Sequence, residues 1–117
     1  MSANLSAAIA RAWEARETLT PDTHGEAREA VEAAIAGLDD GSLRVAEKQD
    51  GQWVTHQWLK QAVLLFFRLS PMALVEGGAG GARWWDKVAP KTAGWDTARF
   101  AAAGARFVPG AIVRRGA

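Results

Sequence analysis

The chain has 117 residues, of which 49% are hydrophobic and 23% are charged, and its formal net charge is +1. This composition is typical of one globular domain, and it excludes disordered and collagen-like chains. There is no cysteine, which excludes disulfides and thiolate metal ligands, and the two histidines are too few for a structural zinc site. No apolar run approaches the roughly 20 residues of a membrane-spanning helix, and no secretory signal pattern is visible. We therefore expect a cytoplasmic protein that binds neither a metal nor a membrane.

The charges are unevenly distributed along the chain. Residues 1–40 carry three basic and eight acidic side chains, a net charge of −5, and residues 41–117 carry the compensating +6. From Arg99 to the last residue there are four arginines and no acid. A solvated surface explains such a pattern, and so does a site for an anion such as a carboxylate or a phosphate. Both explanations stay open on charge alone.

Two helices are predicted within the first forty residues. The spacing i, i+3, i+4, i+7, i+8 of the first helix is carried by Leu5, Ala8, Ile9, Ala12 and Trp13. We expect this helix to end near Thr18, and Thr23-His24-Gly25-Glu26 then matches a capping box for the second helix. The inward face expected for the second helix is Ala27, Ala30, Val31, Ala34, Ile35 and Leu38. Gly41 is placed to end that helix in left-handed geometry.

A β-hairpin is predicted next. Asp50-Gly51 supplies its two-residue turn, because such a turn needs positive φ and glycine adopts positive φ without strain. Counting outward from the turn pairs Lys48 with Trp53, Glu47 with Val54, Ala46 with Thr55 and Val45 with His56. Leu43, Val45 and Val54 then share one face of the hairpin, which we expect to point to the core.

A third helix follows the hairpin directly. From Trp58 onward the apolar period changes from two to about 3.6 residues. The central stripe expected for this helix is Leu59, Ala62, Val63 and Phe66, and its apolar flanks are Leu64, Leu65 and Phe67. A helix that is apolar nearly all round should be covered on most sides. Pro71 ends it, because the residue before a proline is disfavoured in helical geometry.

The last third of the chain predicts shorter elements. A short strand is predicted at residues 72–76, followed by a glycine-rich loop at residues 77–81. A flexible loop is favoured there over a phosphate cradle, because no Gly-Lys-Ser/Thr follows. Asp96 can cap a short helix with Phe100 on its inward side and Gly104 at its end. The predicted class is therefore α+β, with two N-terminal helices, a hairpin, a buried third helix and an irregular tail.

Few side chains suggest chemistry. His56 falls at the junction of strand and helix, where a hydrogen bond to the backbone is favoured over catalysis. Six tryptophans with interspersed arginines can stack on single-stranded nucleic acid. However, Trp13, Trp53 and Trp58 have core-like spacing, which favours packing. No combination of residues makes an active centre, so we assign no catalytic residue and no metal ligand.

Two stretches carry a family resemblance. LRVAEKQDGQWVTHQWLKQAVLLFFR, residues 43–68, resembles the corresponding segment of the tetrahydrodipicolinate N-succinyltransferases, and Trp84-Trp85-Asp86-Lys87-Val88 is similar to the family's aromatic-aromatic-Asp-Lys-Val stretch. We expect those two tryptophans mainly to pack. The resemblance implies a succinyl-CoA-dependent acyltransferase of lysine and diaminopimelate biosynthesis that acts on a cyclic dicarboxylate. It also implies a homotrimer held by a left-handed parallel β-helix of hexapeptide repeats, which carries the acidic catalytic residues and the CoA groove.

The resemblance singles out Arg106. The family's Gly-Phe-Arg-Val-Val-Pro-Pro aligns without a gap with residues 104–110, and Arg106 falls on the arginine that, in the family, binds a carboxylate of the substrate. A guanidinium suits this role because its rigid fork gives two parallel charge-assisted hydrogen bonds. The departures are Ala105 for an aromatic residue, Phe107 for valine and Gly110 for the second proline. Residues 105–109 should be extended, and without the resemblance a surface arginine on a strand is the preferred interpretation.

Residues 111–117 look like the opening turn of a hexapeptide-repeat β-helix. The predicted domains are therefore an N-terminal α+β domain at residues 1–108 and the start of a linker or first β-helix turn at residues 109–117. One such turn cannot bury its own face, so we expect a fragment or a cleaved product, inactive alone and binding no succinyl-CoA. The alternative is a stand-alone module that binds an anion or nucleic acid through its basic tail, whereas the transferase interpretation expects no nucleic-acid partner.

Overall fold

The computed structural model describes residues 2–77 and 79–117. They form two compact units, residues 2–71 with Gly116, and residues 72–77 and 79–115 with Ala117. The first unit contains α1 (Ser2–Glu14), a 3₁₀ turn (Arg16–Thr18), α2 (Glu26–Asp40), β1 (Ala46–Gln49), β2 (Gln52–Thr55) and α3 (Gln57–Leu69). The second contains β3 (Ala73–Val75), a 3₁₀ turn (Ala79–Gly81), β4 (Trp84–Asp86) and α4 (Thr97–Ala103). The predicted α+β class is confirmed, and the prediction for residues 77–81 includes Gly78, which lies outside the described residues.

The core of the first unit lies between α1, α2 and α3, each of which contacts the other two. Its largest fully buried side chains are Ile9, Val31, Ile35, Leu59, Leu65 and Leu69. Of the inward positions predicted for α2, all are buried except Ala27, which is half-buried. Ala30 and Ala34 are buried at 6% and 0% exposure, and their small side chains let the neighbouring helices approach closely. Gly41 ends α2 at φ 84°, as predicted.

α3 buries one face, and the prediction that most of its circumference is covered is wrong. Its buried residues recur every three or four positions and so form a single stripe: Leu59, Ala62, Leu65, Phe66 and Leu69. Leu64 is 51% exposed, and Val63 is half-buried. The end of the helix is as predicted, because Ser70 before Pro71 is extended at φ −103° and ψ 129°.

The predicted capping box does not form. α2 begins at Glu26, so its N-cap is Gly25 with φ 88°, and no side chain caps the helix. The Thr23 hydroxyl accepts a hydrogen bond from the Thr20 N–H at 2.9 Å. Arg11 donates from Nε to Glu26 Oε1 at 2.7 Å, so the glutamate contacts α1 instead of folding back to its own helix end. A capping glutamate must lie three residues inside the helix, and Glu26 is its first residue.

The hairpin has the predicted turn and register. Asp50 and Gly51 have φ values of 50° and 76°, the two positive angles that a type I′ turn requires. The paired residues are Ala46 with Thr55, Glu47 with Val54, Lys48 with Trp53 and Gln49 with Gln52. Leu43, Val45 and Val54 are half-buried, so the face predicted to point to the core is only partly covered.

Trp53 is not a core residue. Its side chain is 69% exposed, and the Lys48 ammonium lies 5.9 Å from its ring centroid. Successive strand residues point to opposite faces, so the half-buried Val54 places Trp53 on the solvent side. Trp13 and Trp58 are half-buried, and the core-like interpretation fails for Trp53 alone among these three.

The second unit is built from short elements. β3 and β4 pair antiparallel, which confirms the short strand predicted at residues 72–76. Asp96 caps α4 by accepting a hydrogen bond from the Arg99 N–H at 2.8 Å, and Gly104 ends the helix at φ 67°, both as predicted. Residues 105–108 belong to no helix or strand.

The hairpin turn generates a prediction. Gly51→Val should lower the free energy of unfolding by at least about 1 kcal/mol, because a β-branched residue is strained at positive φ. No neighbouring atom lies within 4 Å of a Cβ built at this position, so backbone strain is the only expected cost. Gln52→Val, one residue later in β2, is the matched control and should change the urea midpoint little. Equal midpoints for the two variants would contradict the turn assignment.

Candidate functional site

Three aromatic rings hold together the part of the second unit that carries Arg106. Trp95 and Phe100 meet edge to face with their ring centroids 5.1 Å apart. Phe107 lies 5.8 Å from Trp95 and 5.6 Å from Phe100, at interplanar angles of 83° and 75°. The Arg99 guanidinium covers the Trp95 ring at 4.0 Å. These separations are typical of favourable aromatic and cation–π contacts, so the cluster links the residue before α4, the helix itself and the segment after it.

Arg106 is exposed and lies in that segment, directly before Phe107. Its guanidinium makes no hydrogen bond or ion pair with residues 2–77 or 79–117. Other arginines are occupied: Arg114 pairs with Asp86, and Arg99 stacks on Trp95. Arg106 is therefore available to an anion from outside the described chain.

An apolar groove of about 520 Å³ runs along the second unit. Its lining includes six aromatic or branched aliphatic side chains: Trp84, Trp85, Phe107, Val108, Ile112 and Val113. We call this surface the second-unit groove. Arg106 does not line it, although the two residues that follow Arg106 do.

The tryptophans of the groove are less packed than the sequence predicts. Trp85 is 66% exposed and Trp84 is 49% exposed, so the expectation that they mainly pack is wrong for the chain as described. Ile112 is 83% exposed and Val108 is 64% exposed. Sequence reasoning did not find this surface. The signal that could have found it is the concentration of large apolar residues in short segments without a helical or strand period.

One ion pair borders the groove. The Arg114 Nη2 donates to Asp86 Oδ2 at 3.0 Å and to Oδ1 at 3.3 Å. The pKa of Asp86 lies below its ordinary value, chiefly because the Lys87 backbone N–H donates to the carboxylate, with a further contribution from the Arg114 charge. Residues next to Arg114 pair with the segment after β4, since the Lys91 N–H donates to Val113 O at 2.9 Å. The ion pair thus joins β4 to the last residues that line the groove.

His56 lies at a different place, in the first unit. It is the N-cap residue of α3, in extended geometry and without a side-chain cap, and its backbone N–H donates to Val45 O at 2.7 Å. Its Nε2 is 3.4 Å from Glu47 Oε2, and Gln49 Nε2 donates to Glu47 Oε1 at 2.9 Å. The pKa of Glu47 is lowered, mainly by the Gln49 hydrogen bond and further by His56. This arrangement ties β1 to the residue that precedes α3.

Neither a metal cluster nor a membrane span is found in the described residues. No three histidine or carboxylate side chains there lie close enough together to hold an ion. None of the helices in that part of the chain is both long and apolar enough to cross a membrane.

Comparison with known proteins decides the family. The model of the tetrahydrodipicolinate N-succinyltransferase N-terminal family matches residues 4–69, more than half of the chain and nearly all of the first unit. The chain belongs to this family. The resemblance of residues 43–68 is therefore confirmed by a match that extends over α1 and α2 as well.

Curated relatives extend the similarity into the second unit. The 2,3,4,5-tetrahydropyridine-2,6-dicarboxylate N-succinyltransferase of Rhodospirillum rubrum is 60% identical over 114 residues, which cover 97% of this chain and 40% of the relative. The enzymes of the same name from Methylobacterium nodulans and Nitrobacter winogradskyi are 58% and 56% identical, with 97% and 99% of this chain covered. The chain spans 41% and 42% of those two relatives. It therefore spans about two fifths of the length of the N-succinyltransferases that it matches.

The ion pair beside the groove generates a prediction. Arg114→Gln should raise the pKa of Asp86 toward its ordinary value, although the Lys87 N–H will keep part of the shift. Because folding lowers this pKa, the pair stabilises the folded chain above the ordinary pKa, and the contribution is lost as the pH falls through the lowered value. Carboxyl chemical shifts followed by NMR against pH measure the change.

Arg99→Gln is the matched control for this titration. It removes the same charge from a guanidinium that lies on the Trp95 ring, so the Asp86 pKa should stay as in the parent chain. An unchanged Asp86 pKa in Arg114→Gln, or equal shifts in both variants, would show that the pair does not control this carboxylate.

Proposed function

We propose that this chain is the N-terminal, substrate-recognising part of a longer succinyl-CoA-dependent N-succinyltransferase of lysine and diaminopimelate biosynthesis. The supporting observation is 56–60% identity, across nearly the whole chain, to proteins named for that reaction. In the reaction, the amino group of the ring-opened tetrahydrodipicolinate attacks the thioester carbonyl of succinyl-CoA. A C–N bond forms, the C–S bond breaks and CoA leaves. Succinyl-CoA is a co-substrate that binds to the rest of the enzyme, and the 117 residues alone have no transferase activity.

The proposed substrate contact of this part is Arg106. Its guanidinium is exposed and unoccupied by any described residue, and it lies in a stretch without acidic neighbours from Arg99 onward. A dicarboxylate supplies the planar, doubly accepting group that a guanidinium fork fits. No catalytic residue of this chain is proposed. The acid–base groups belong to the other three fifths of the enzyme.

The second-unit groove has a proposed partner too. It carries a row of large apolar side chains that remain in contact with water, which is unfavourable by about 25 cal/mol per Å² of apolar surface. Since the relatives are about two and a half times as long as this chain, we propose that their additional polypeptide covers the groove. A parallel β-helix assembled as a homotrimer is the form proposed for that polypeptide.

A stand-alone anion- or nucleic-acid-binding module is not supported by any specific observation. Among the basic residues of the tail, Arg99 lies on Trp95 and Arg114 pairs with Asp86. These two guanidinium groups are therefore engaged within the chain, whereas a stand-alone module would need them to contact its ligand.

Arg106 generates the central functional prediction. Arg106→Ala in the full-length enzyme should lower kcat/KM for the cyclic dicarboxylate by about tenfold to a hundredfold. This follows because a charge-assisted hydrogen bond contributes roughly 1.5–3 kcal/mol and each 1.4 kcal/mol is a factor of ten. Arg106→Lys should recover only part of the loss, since an ammonium cannot make the bidentate pair. Steady-state kinetics with each substrate varied separately measure the effect.

Three controls accompany this measurement. The KM for succinyl-CoA and the thermal midpoint should stay close to those of the parent enzyme. Arg115→Ala removes another arginine of the same tail and should leave the dicarboxylate kinetics unchanged. Normal kinetics in Arg106→Ala, or a loss explained by unfolding, would make Arg106 a structural residue.

The covered groove generates a separate prediction. Backbone amides at residues 84–86 and 111–113 should exchange hydrogen more slowly in the full-length enzyme than in the 117-residue chain, by about tenfold or more, because covering the groove restricts local opening. Amides of the α2 core at residues 34–38 are the control and should exchange alike in both. Equal exchange at the groove in the two proteins, followed by mass spectrometry, would exclude the proposed packing.

A further inference from the structure

The aromatic cluster of Trp95, Phe100 and Phe107 suggests a role beyond stability. We infer that Phe107 is the residue that positions Arg106, by anchoring the backbone on which the arginine lies to the ring pair of α4. The inference rests on the proposed function of Arg106 and adds to it the residue that fixes where the guanidinium is presented.

The burial pattern of the segment supports this role. Ala105, Arg106 and Val108 are exposed, whereas Phe107 is half-buried. Residues 105–108 belong to no helix or strand, so regular backbone pairing does not hold them in place. Phe107 is thus the residue of this segment whose side chain has neighbours on two sides, at 5.8 Å from Trp95 and 5.6 Å from Phe100.

The other end of the anchor is itself fixed. α4 has seven residues, which is too short for a helix to be stable alone. The Asp96 cap and the Arg99 guanidinium on Trp95 stabilise its first turn. The Trp95–Phe100 contact therefore has a defined geometry. Phe107 packs against both rings, so its own position is defined as well.

The position of the Phe107 ring predicts which substrate will bind more weakly when the ring is removed. Without Phe107 the guanidinium keeps its charge but samples more positions, so fewer molecules present it in the geometry for a bidentate carboxylate contact. A misplacement of about 1 Å can cost a hundredfold in rate when it affects a binding group. The affinity for the dicarboxylate should therefore fall, and the affinity for the acyl donor should stay unchanged.

The first test uses the full-length enzyme and the variant Phe107→Val. We expect the KM for the cyclic dicarboxylate to rise about tenfold, with the KM for succinyl-CoA unchanged. Phe66→Val is the matched control, because Phe66 is a buried ring of α3 in the first unit. It should lower the thermal midpoint without changing the KM for the dicarboxylate. If both variants give the same pattern, Phe107 is only a structural residue.

A conservative variant supplies the rescue. Phe107→Tyr keeps an aromatic ring against Trp95 and Phe100, whereas Phe107→Val removes it. Because Phe107 is half-buried, the added hydroxyl can reach water. We expect Phe107→Tyr to keep a KM for the cyclic dicarboxylate close to that of the parent enzyme. A Phe107→Tyr variant as defective as Phe107→Val would overturn the inference.

A double-mutant cycle with Arg106 separates this inference from the proposed function. If Phe107 acts through Arg106, Arg106→Ala/Phe107→Val should be no worse than Arg106→Ala alone. Additive losses would show that Phe107 acts independently and would overturn the inference while leaving Arg106 as the substrate contact. A normal kcat/KM for the cyclic dicarboxylate in Arg106→Ala would instead overturn the proposed function, and the positioning role with it.

Discussion

The burial of one stripe of α3 against α1 and α2 is the constraint on which the first unit depends. Leu59, Leu65 and Leu69 are each no more than 1% exposed, and every helix of the unit contacts the other two. Because His56 directly follows β2 and is the N-cap residue of α3, the position of that helix also fixes the hairpin. Arg28 adds a polar connection, since its Nη2 donates to Leu69 O at the end of α3 at 3.0 Å. Deep apolar packing therefore sets the architecture, and the exposed hairpin follows from it.

The second unit is stabilised in a different way. Among its described residues Val88 is the one buried apolar side chain, and rings, caps and an ion pair supply the other contacts. Such contacts are individually modest, at about 0.5–1.5 kcal/mol for an aromatic pair and about 0–1 kcal/mol for an exposed ion pair. A unit with so little buried surface gains most from additional polypeptide that removes its apolar side chains from water. On the proposed function, the exposed second-unit groove is the surface that this additional polypeptide covers.

How far the sequence predicted this structure depends on how local the determining interaction is. The Asp50-Gly51 turn, the hairpin register and the left-handed Gly41 and Gly104 follow from backbone sterics within a few residues, and all are confirmed. The capping box failed because α2 begins only at Glu26, and that glutamate pairs with Arg11, fifteen residues away in α1, which no local pattern records. For the candidate site, the sequence placed Arg106 only through the family resemblance. The contacts near Arg106 could not be predicted, because Trp95 precedes α4 in the chain and Phe107 follows it, and the two rings meet only in the folded structure.

The exposure of Arg106 bears directly on its proposed role. In water, an exposed guanidinium and a carboxylate gain only about 0–1 kcal/mol from pairing, because solvent screens the charges and both partners lose conformational freedom. A tenfold to hundredfold contribution to kcat/KM requires more than that, and it requires a site from which part of the water is removed. The described residues supply a guanidinium that has no partner among them and a ring that is proposed to orient it, but they leave both in contact with solvent. On the proposed function, the polypeptide that covers the second unit therefore has two effects. It buries apolar surface, and by lowering the local dielectric it converts a weak surface charge into a selective carboxylate contact.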